Sequence, residues 1–303
     1  MTRHDPHPEP NGASVGAGPG AAAGEVFGPP PAGADPLTVE LAATAVTAAW
    51  AAAGIVAASF EGEHRSVETK TSATDMVSEV DRAAEAAVAA VLRERRPDDA
   101  VLGEEGTERS GTTGVRWVVD PLDGTTNFLF DIPQFSVSVA AEVDGETAVG
   151  VVVDPCREET WAAVRGWGAR RNGSPCRVAS GRSELATALV ATGFGYRAER
   201  RRWQAEILGR VLPAVRDIRR LGSAALDLCW TAAGRFDAYY EWGLNPWDLA
   251  AGALICEEAG ARVEILSNRL ILASAPQLFG PLEELLTHAG ALSAPEGPEP
   301  RYW

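Results

Sequence analysis

The first long apolar stretch of the chain runs from Leu41 to Phe60 and carries no charge. Its length would span a bilayer, yet it is mostly Ala, with Thr44, Thr47 and Ser59 interspersed. Alanine is weakly apolar and the strongest helix former. The stretch therefore reads as a buried Ala-rich helix from about 37 to 60, with no membrane span. A second helix is expected from Asp75 to Arg93, where Val80, Ala84, Val88 and Val91 recur at helical spacing, and Pro97 ends it. Strands then dominate. Val115–Val119 is a short apolar run, and Phe135–Glu142 sets Phe135, Val137 and Val139 against Ser136, Ser138 and Ala140. Val143-Asp144-Gly145-Glu146 reads as a hairpin leading into Ala148–Val153, and Thr160–Val164 with the turn at Asn172-Gly173 continues the meander.

From about residue 183 strands and helices alternate. Strands are expected at Leu189–Thr192, Asp237–Glu241, Ala261–Ile265 and Leu270–Ala273. Helices are expected at Arg200–Leu212, Ala224–Ala233, Trp247–Ala259 and Pro276–Thr287. The coarse architecture is an α+β half over 37–180 followed by an α/β half over 181–290. Residues 1–36, rich in Pro, Gly and Ala and without an apolar period, are expected to be a disordered tail, and 291–303 a short tail.

A chain of 303 residues with 46% hydrophobic content can bury a sizeable core. Its net charge of −15 argues against broad nucleic-acid binding. It does not exclude anionic substrates, because bound cations reverse the local field. Cys156, Cys176, Cys229 and Cys256 are widely spaced with no CxxC pair, and no basic region followed by an apolar stretch opens the chain. Both features fit a reduced, cytoplasmic protein.

The chemistry concentrates in Trp117-Val-Val-Asp-Pro-Leu-Asp-Gly-Thr-Thr-Asn-Phe128. An apolar strand ends in Asp120 and Asp123, two carboxylates able to point into one space, and oxygens of this kind hold hard cations such as Mg²⁺. Gly124-Thr125-Thr126 then opens a helix, whose first backbone N–H groups suit a phosphate. Further acids follow apolar runs or open helices: Glu104 and Glu105 after Val101-Leu102-Gly103, Asp75 and Asp81 around the second helix, and Asp248 in Trp247-Asp248-Leu249, with Glu241 upstream. Taken singly, Asp248 and Asp75 read as helix caps and Glu104-Glu105 as a solvated turn. Delivery of several acids to strand ends argues for a metal-dependent phosphoryl site.

Together these segments resemble the inositol monophosphatase family of Mg²⁺-dependent, lithium-sensitive phosphatases. The resemblance covers about 37–290 and rests on Trp117–Phe128, Trp247–Gly260, Lys70 with Asp75 and Asp81, Gly103-Glu104-Glu105 and Arg219–Ala225. The stretch from Thr192-Gly193-Phe194-Gly195-Tyr196 to Ala259-Gly260-Ala261 is most similar to actinobacterial members. The resemblance implies an α/β, layered αβαβα sandwich of the inositol monophosphatase and fructose-1,6-bisphosphatase type, acting as a homodimer. It implies that Glu104, Asp120 and the Leu122 carbonyl hold one Mg²⁺, and that Asp120, Asp123 and Asp248 hold a second. The two ions would stand about 3.5–4 Å apart, with a third, weaker ion beside Glu104. Thr125, bonded to Asp81, would orient the attacking water with Glu104. Gly124 and Thr125 would hold the phosphate, and Asp123, Gly222, Ala224 and Glu241 the polyol. The implied substrate is inositol 1-phosphate; histidinol phosphate, fructose 1,6-bisphosphate and 3′-phosphoadenosine 5′-phosphate are the alternatives among relatives.

Other phosphatase chemistries fit poorly. Cys229 and Arg235 have the spacing of a cysteine-phosphatase loop but fall in a helical pattern, which leaves no free amides for phosphate. His4, His7, His64 and His288 lie outside the acidic segments, and Asp120-x-x-Asp123 is not the Asp-x-Asp of aspartyl-phosphate enzymes. A non-enzymatic alternative is regulatory RNA or transcription-complex binding, known for some relatives. The basic islands Arg200-Arg201-Arg202 and Arg216, Arg219, Arg220 bear on it, but read more simply as solvated faces, with Arg219 structural or at a subunit contact. A degenerate pseudoenzyme would be expected to lose metal acids, and all the matching ones are present.

Overall fold

Three separate apolar cores divide the molecule into five layers. The computed structural model describes residues 22–60, 67–69, 76–179, 181–266 and 269–293. Lys70 and Asp75, and with them the expected start of the second helix, lie outside the described residues. The first half contains helices α1 (Ala23–Phe27), α2 (Pro36–Phe60), α3 (Glu79–Arg95) and α4 (Thr125–Leu129). Its strands are β1 (Val67–Thr69), β2 (Met76–Ser78), β3 (Ala100–Gly103), β4 (Glu108–Arg109), β5 (Val115–Asp123), β6 (Ser136–Val143), β7 (Glu146–Asp154), β8 (Glu159–Val164), β9 (Gly168–Arg171) and β10 (Ser174–Pro175). The second half contains β11 (Leu189–Thr192), α5 (Ala198–Val211), β12 (Asp217–Arg219), α6 (Ala224–Ala232), β13 (Ala238–Trp242), α7 (Pro246–Glu258), β14 (Arg262–Ile265), β15 (Leu270–Ser274) and α8 (Pro276–His288).

An eight-stranded sheet has the order β10-β9-β8-β7-β6-β5-β3-β4, and a five-stranded sheet the order β12-β11-β13-β15-β14. Side chains alternate across each strand, so each sheet feeds two cores. Trp117 and Val119 of β5 join α2 and α3 on one face, while Val118 joins α6 and α7 on the other. In the small sheet Tyr239, Ile271 and Ala273 face α6 and α7. Tyr240, Trp242, Leu270 and Leu272 face α5 and α8. The result is the αβαβα sandwich expected from the resemblance.

Among the described residues α2 is the one helix long and apolar enough to cross a membrane, and 61% of its most apolar window is buried inside the fold. It packs on α3, β6 and β7, as a core helix does. The stretch 1–36 read as a disordered tail needs a correction at its C-terminal end. Val26 and Phe27 of α1 are buried and join the first core against β8 and β9, so ordered chain begins earlier than composition suggested. At the far end Ala291 is buried and its carbonyl accepts the indole N–H of Trp242 at 3.0 Å, so the C-terminal tail also starts packed.

Candidate active site

The key local feature is a bulge. β5 pairs with β6 so that Asp120 faces Ser138 and Asp123 faces Ser136, which puts one extra residue into β5 between them. In a regular strand positions three apart point to opposite faces. The extra residue restores both aspartates to the same face, toward α6 and α7. Pro121 sits in the bulge, where a missing N–H costs no ladder bond. Asp120 is buried and its Oδ1 accepts the Leu122 N–H at 3.0 Å. Gly124 follows with φ 105° and ψ 30°, and a Cβ there would stand 2.9 Å from the Gln134 carbonyl. Only glycine makes this turn without strain.

β3 runs parallel to β5 and ends at Gly103, so Glu104 emerges beside Asp120. The loop is held by buried Glu85 of α3, whose carboxylate accepts the N–H groups of Glu105 and Thr107 at 2.8 Å each. Asp123 Oδ2 accepts from Ser223 Oγ and from the Ala225 N–H, both at 2.7 Å, which docks it on the N-terminus of α6. Asp248 lies in the first turn of α7 and accepts the Asn245 N–H at 2.6 Å, so the cap expected for it is formed. Pro246 at the start of α7 supplies a pre-set φ. The Asn127 amide bridges the Gln134 and Leu221 carbonyls at 2.7 and 2.8 Å, tying the loop after α4 to the entry of α6.

The electrostatics are those of an acid cluster short of positive charge. The Asp120 carboxyl is pushed well above the carboxylate range by burial, then by Glu104, Asp123 and Asp248, and it shares a hydrogen bond with Glu104. Asp248 is raised in the same way by burial, Glu104 and Asp123. Asp123 is raised by burial and restrained by its Ser223 and Ala225 bonds. Among the described residues no three acidic, His or Cys side chains yet close on one point as a ligand sphere. Of the expected ligands, Asp123 and Asp248 bond to neighbouring donors, Asp120 to the Leu122 N–H, and Glu104 shares its bond with Asp120. The donor set still fits a hard cation, since it is all oxygen and the mutual repulsion of its members is what a cation would relieve. This gives a test without turnover. Raised carboxyls bind more protons folded than unfolded, so their stabilising contribution is lost as pH rises above 3.8 through the raised values. With chelator present, the melting midpoint is expected to fall as pH rises above 3.8, and Mg²⁺ should restore it at the upper end. A flat profile would remove the cation argument.

Two expected contacts come out differently or are joined by others. Thr125 Oγ1 donates to the Leu122 carbonyl at 3.0 Å, not to Asp81, because the tight Gly124 turn folds the hydroxyl back onto its own strand end. Asp81 is buried in the first turn of α3. Gly222 (φ 91°) and Ala224 flank Ser223, the N-cap of α6. Glu241 near the end of β13 accepts the Tyr239 hydroxyl at 2.7 Å, and burial raises its carboxyl to about 7. Its carboxylate lies directly on Gly193, where any Cβ would collide with it.

The residues not anticipated are Glu85, Ser223, Asn127 and Asp227. Asp227 is a buried acid in α6, raised well above its ordinary range by burial and then by Glu241 and Asp123, with Oδ1 lacking a partner. A lone acid in the apolar run Ala224-Ala-Leu-Asp-Leu-Cys was a readable signal. Cys229 lies inside α6, which disposes of a cysteine-phosphatase loop.

The family model for the inositol monophosphatase family matches residues 38–290. The inositol-1-monophosphatase of Mycobacterium bovis is 45% identical over 248 residues, covering 77% of this chain and 83% of that protein. Nus factor SuhB of Escherichia coli K12 is 42% identical over 221 residues, covering 72% of this chain and 82% of that protein. The crystal structure of extragenic suppressor protein suhB from Bartonella henselae is similar with a TM-score of 0.76 and 38% identity, over 80% of this chain and 96% of that one.

Proposed function

The chain belongs to the inositol monophosphatase family, and we propose that it is a Mg²⁺-dependent phosphomonoesterase acting on inositol 1-phosphate. The observation that carries this reading is the electrostatic crowding of buried Asp120 by Glu104, Asp123 and Asp248, and of Asp248 by Glu104 and Asp123, beside the opening turn of α4. Glu104, Asp120 and the Leu122 carbonyl would hold one ion, Asp120, Asp123 and Asp248 another, and a third would lie beside Glu104. Bound Mg²⁺ neutralises the phosphate, acidifies a bound water and steadies the leaving alkoxide. Glu104 accepts the proton of the attacking water, and the Thr125 hydroxyl orients that water. Thr125 reaches it by giving up the Leu122 carbonyl for Asp81. The N–H groups of Gly124 and Thr125, at a helix start with no preceding turn to bond to, hold phosphate oxygens. Asp123, Gly222, Ala224 and Glu241 line the polyol side. The working form is a homodimer in a reducing cytoplasm, in keeping with four free thiols.

The test is phosphate release, with and without Mg²⁺, from inositol 1-phosphate, histidinol phosphate, fructose 1,6-bisphosphate and 3′-phosphoadenosine 5′-phosphate. Metal-dependent, lithium-sensitive preference for the inositol ester is expected. Preference for another ester replaces the substrate, and no release from any of them overturns the enzyme reading. The relative named Nus factor SuhB supports the second reading, a regulatory transcription-complex protein, which that last outcome would favour. Glu241→Ala is expected to lower kcat/KM for inositol 1-phosphate about tenfold to a hundredfold more than for an aryl phosphate, which offers no hydroxyl to bind. An equal loss on both would remove Glu241 from the polyol side.

A further inference from the structure

The reading above leaves two arginines without a role. β11 lies between β12 and β13 and is parallel to both, so three chains leave the small sheet at one edge. β11 passes into Gly193-Phe194-Gly195, β12 into Arg220-Leu221-Gly222, and β13 presents Glu241. The carboxyl edge of parallel strands is where open α/β sheets take ligands. Two basic islands far apart in sequence meet at this edge.

Arg200, in the first turn of α5, is half-buried, and its side chain runs over two glycines. A Cβ at Gly195 would stand 2.7 Å from its Cδ, and one at Gly243 would stand 2.5 Å from its Nη1. Arg220 is exposed, with its guanidinium carbon 6.0 Å from the centre of the Phe194 ring and its Nη1 beside Gly222. Both guanidiniums act on the Glu241 carboxyl, and Arg220 acts on Asp123 as well. They therefore border the polyol side of the acid cluster. Among the described residues neither one has a hydrogen-bond or ion-pair partner. Other arginines of this acidic chain are paired, for example Arg96 with Asp99, Arg157 with Asp154 and Arg182 with Asp237. A partly desolvated guanidinium left unpaired is costly, and its planar fork matches phosphate or carboxylate oxygens.

Building on the phosphatase reading, we propose that Arg200 and Arg220 form a second anion subsite. Beside the inositol ester, the site then also admits phosphate monoesters that carry a second phosphate or carboxylate at the end remote from the scissile ester. The acid cluster with its metal takes one anion, and the arginine pair takes the other.

Two measurements test this on the full chain. First, calorimetry compares hexane-1,6-bisphosphonate with hexylphosphonate in the presence of Mg²⁺; no phosphatase cleaves their C–P bonds, so binding is read without turnover. The bisphosphonate is expected to bind at least about tenfold tighter, and Arg200→Met and Arg220→Met should each remove most of that advantage. Second, the ratio of kcat/KM for fructose 1,6-bisphosphate to that for inositol 1-phosphate should fall about tenfold in either variant, mainly through KM. Equal affinity of the wild type for the two phosphonates overturns the subsite, as does an advantage that both variants retain. Absence of turnover alongside the expected binding pattern would reject the phosphatase reading and leave the anion subsite standing. Arg220 is exposed and Arg200 half-buried, and melting curves check that both variants fold.

Discussion

Asp120→Asn is expected to reduce Mg²⁺-dependent phosphate release on the order of a thousandfold, with the fold intact. Asn keeps the shape of the side chain and the oxygen that accepts the Leu122 N–H at 3.0 Å. It lacks the charge that would bridge two cations. It also lacks the charge that Glu104, Asp123 and Asp248 repel. The variant should therefore melt higher than the wild type in chelator and gain less from added Mg²⁺. The opposite signs on activity and metal-free stability separate a ligand from a structural residue. Near-wild-type turnover would falsify the metal assignment, and a lower melting point in chelator would show that Asp120 holds the fold instead.

Gly124→Ala is expected to lose about 2–4 kcal/mol of stability and about a hundredfold in turnover. The backbone there has φ 105°, outside the ordinary range of L-residues, and the added methyl would press on the Gln134 carbonyl at 2.9 Å. Relief of that contact has to move the start of α4, which carries Thr125 and Asn127. Gly33→Ala is the control. Gly33 also has positive φ, at 80°, but nothing lies within 4 Å of an added Cβ. That variant should cost only about 1–2 kcal/mol and leave kcat unchanged. The two are compared by thermal melting and by steady-state phosphate release. Equal behaviour would mean that the Gly124 turn does not position the site.

Much of the fold was legible because local pattern and tertiary role coincide. The alternation in Phe135–Glu142 exists because β6 feeds one core with Val137 and Val139 and the other with Ala140. The turns at Asp144-Gly145 and Asn172-Gly173 were readable because each dipeptide takes positive φ at both positions. Asp120, Asp123, Glu104 and Asp248 were legible because apolar strands and helix starts announce where side chains leave the core. The packed α1 was not legible, because Val26 and Phe27 stand alone in a Pro/Gly/Ala-rich stretch and have no period to betray them. Nor was the Thr125 bond to Leu122, since the choice between two acceptors depends on a turn's detailed shape.

By itself the sequence determined most of the long helices and strands and the acids available for chemistry, since periodicity, turn residues and composition are local properties. The tertiary structure alone decided what those acids meet. Asp123 finds Ser223 a hundred residues away, and Glu85 finds the loop behind Glu104. Arg200 and Arg220 reach one edge only because β11 and β12 pair in parallel. Parallel pairing joins segments through crossovers of a dozen or more residues, and no local pattern specifies which strand will be the neighbour. The raised carboxyl of Asp120 was decided largely the same way: burial, Glu104 and Asp248 from distant segments push it up together with Asp123 of its own strand.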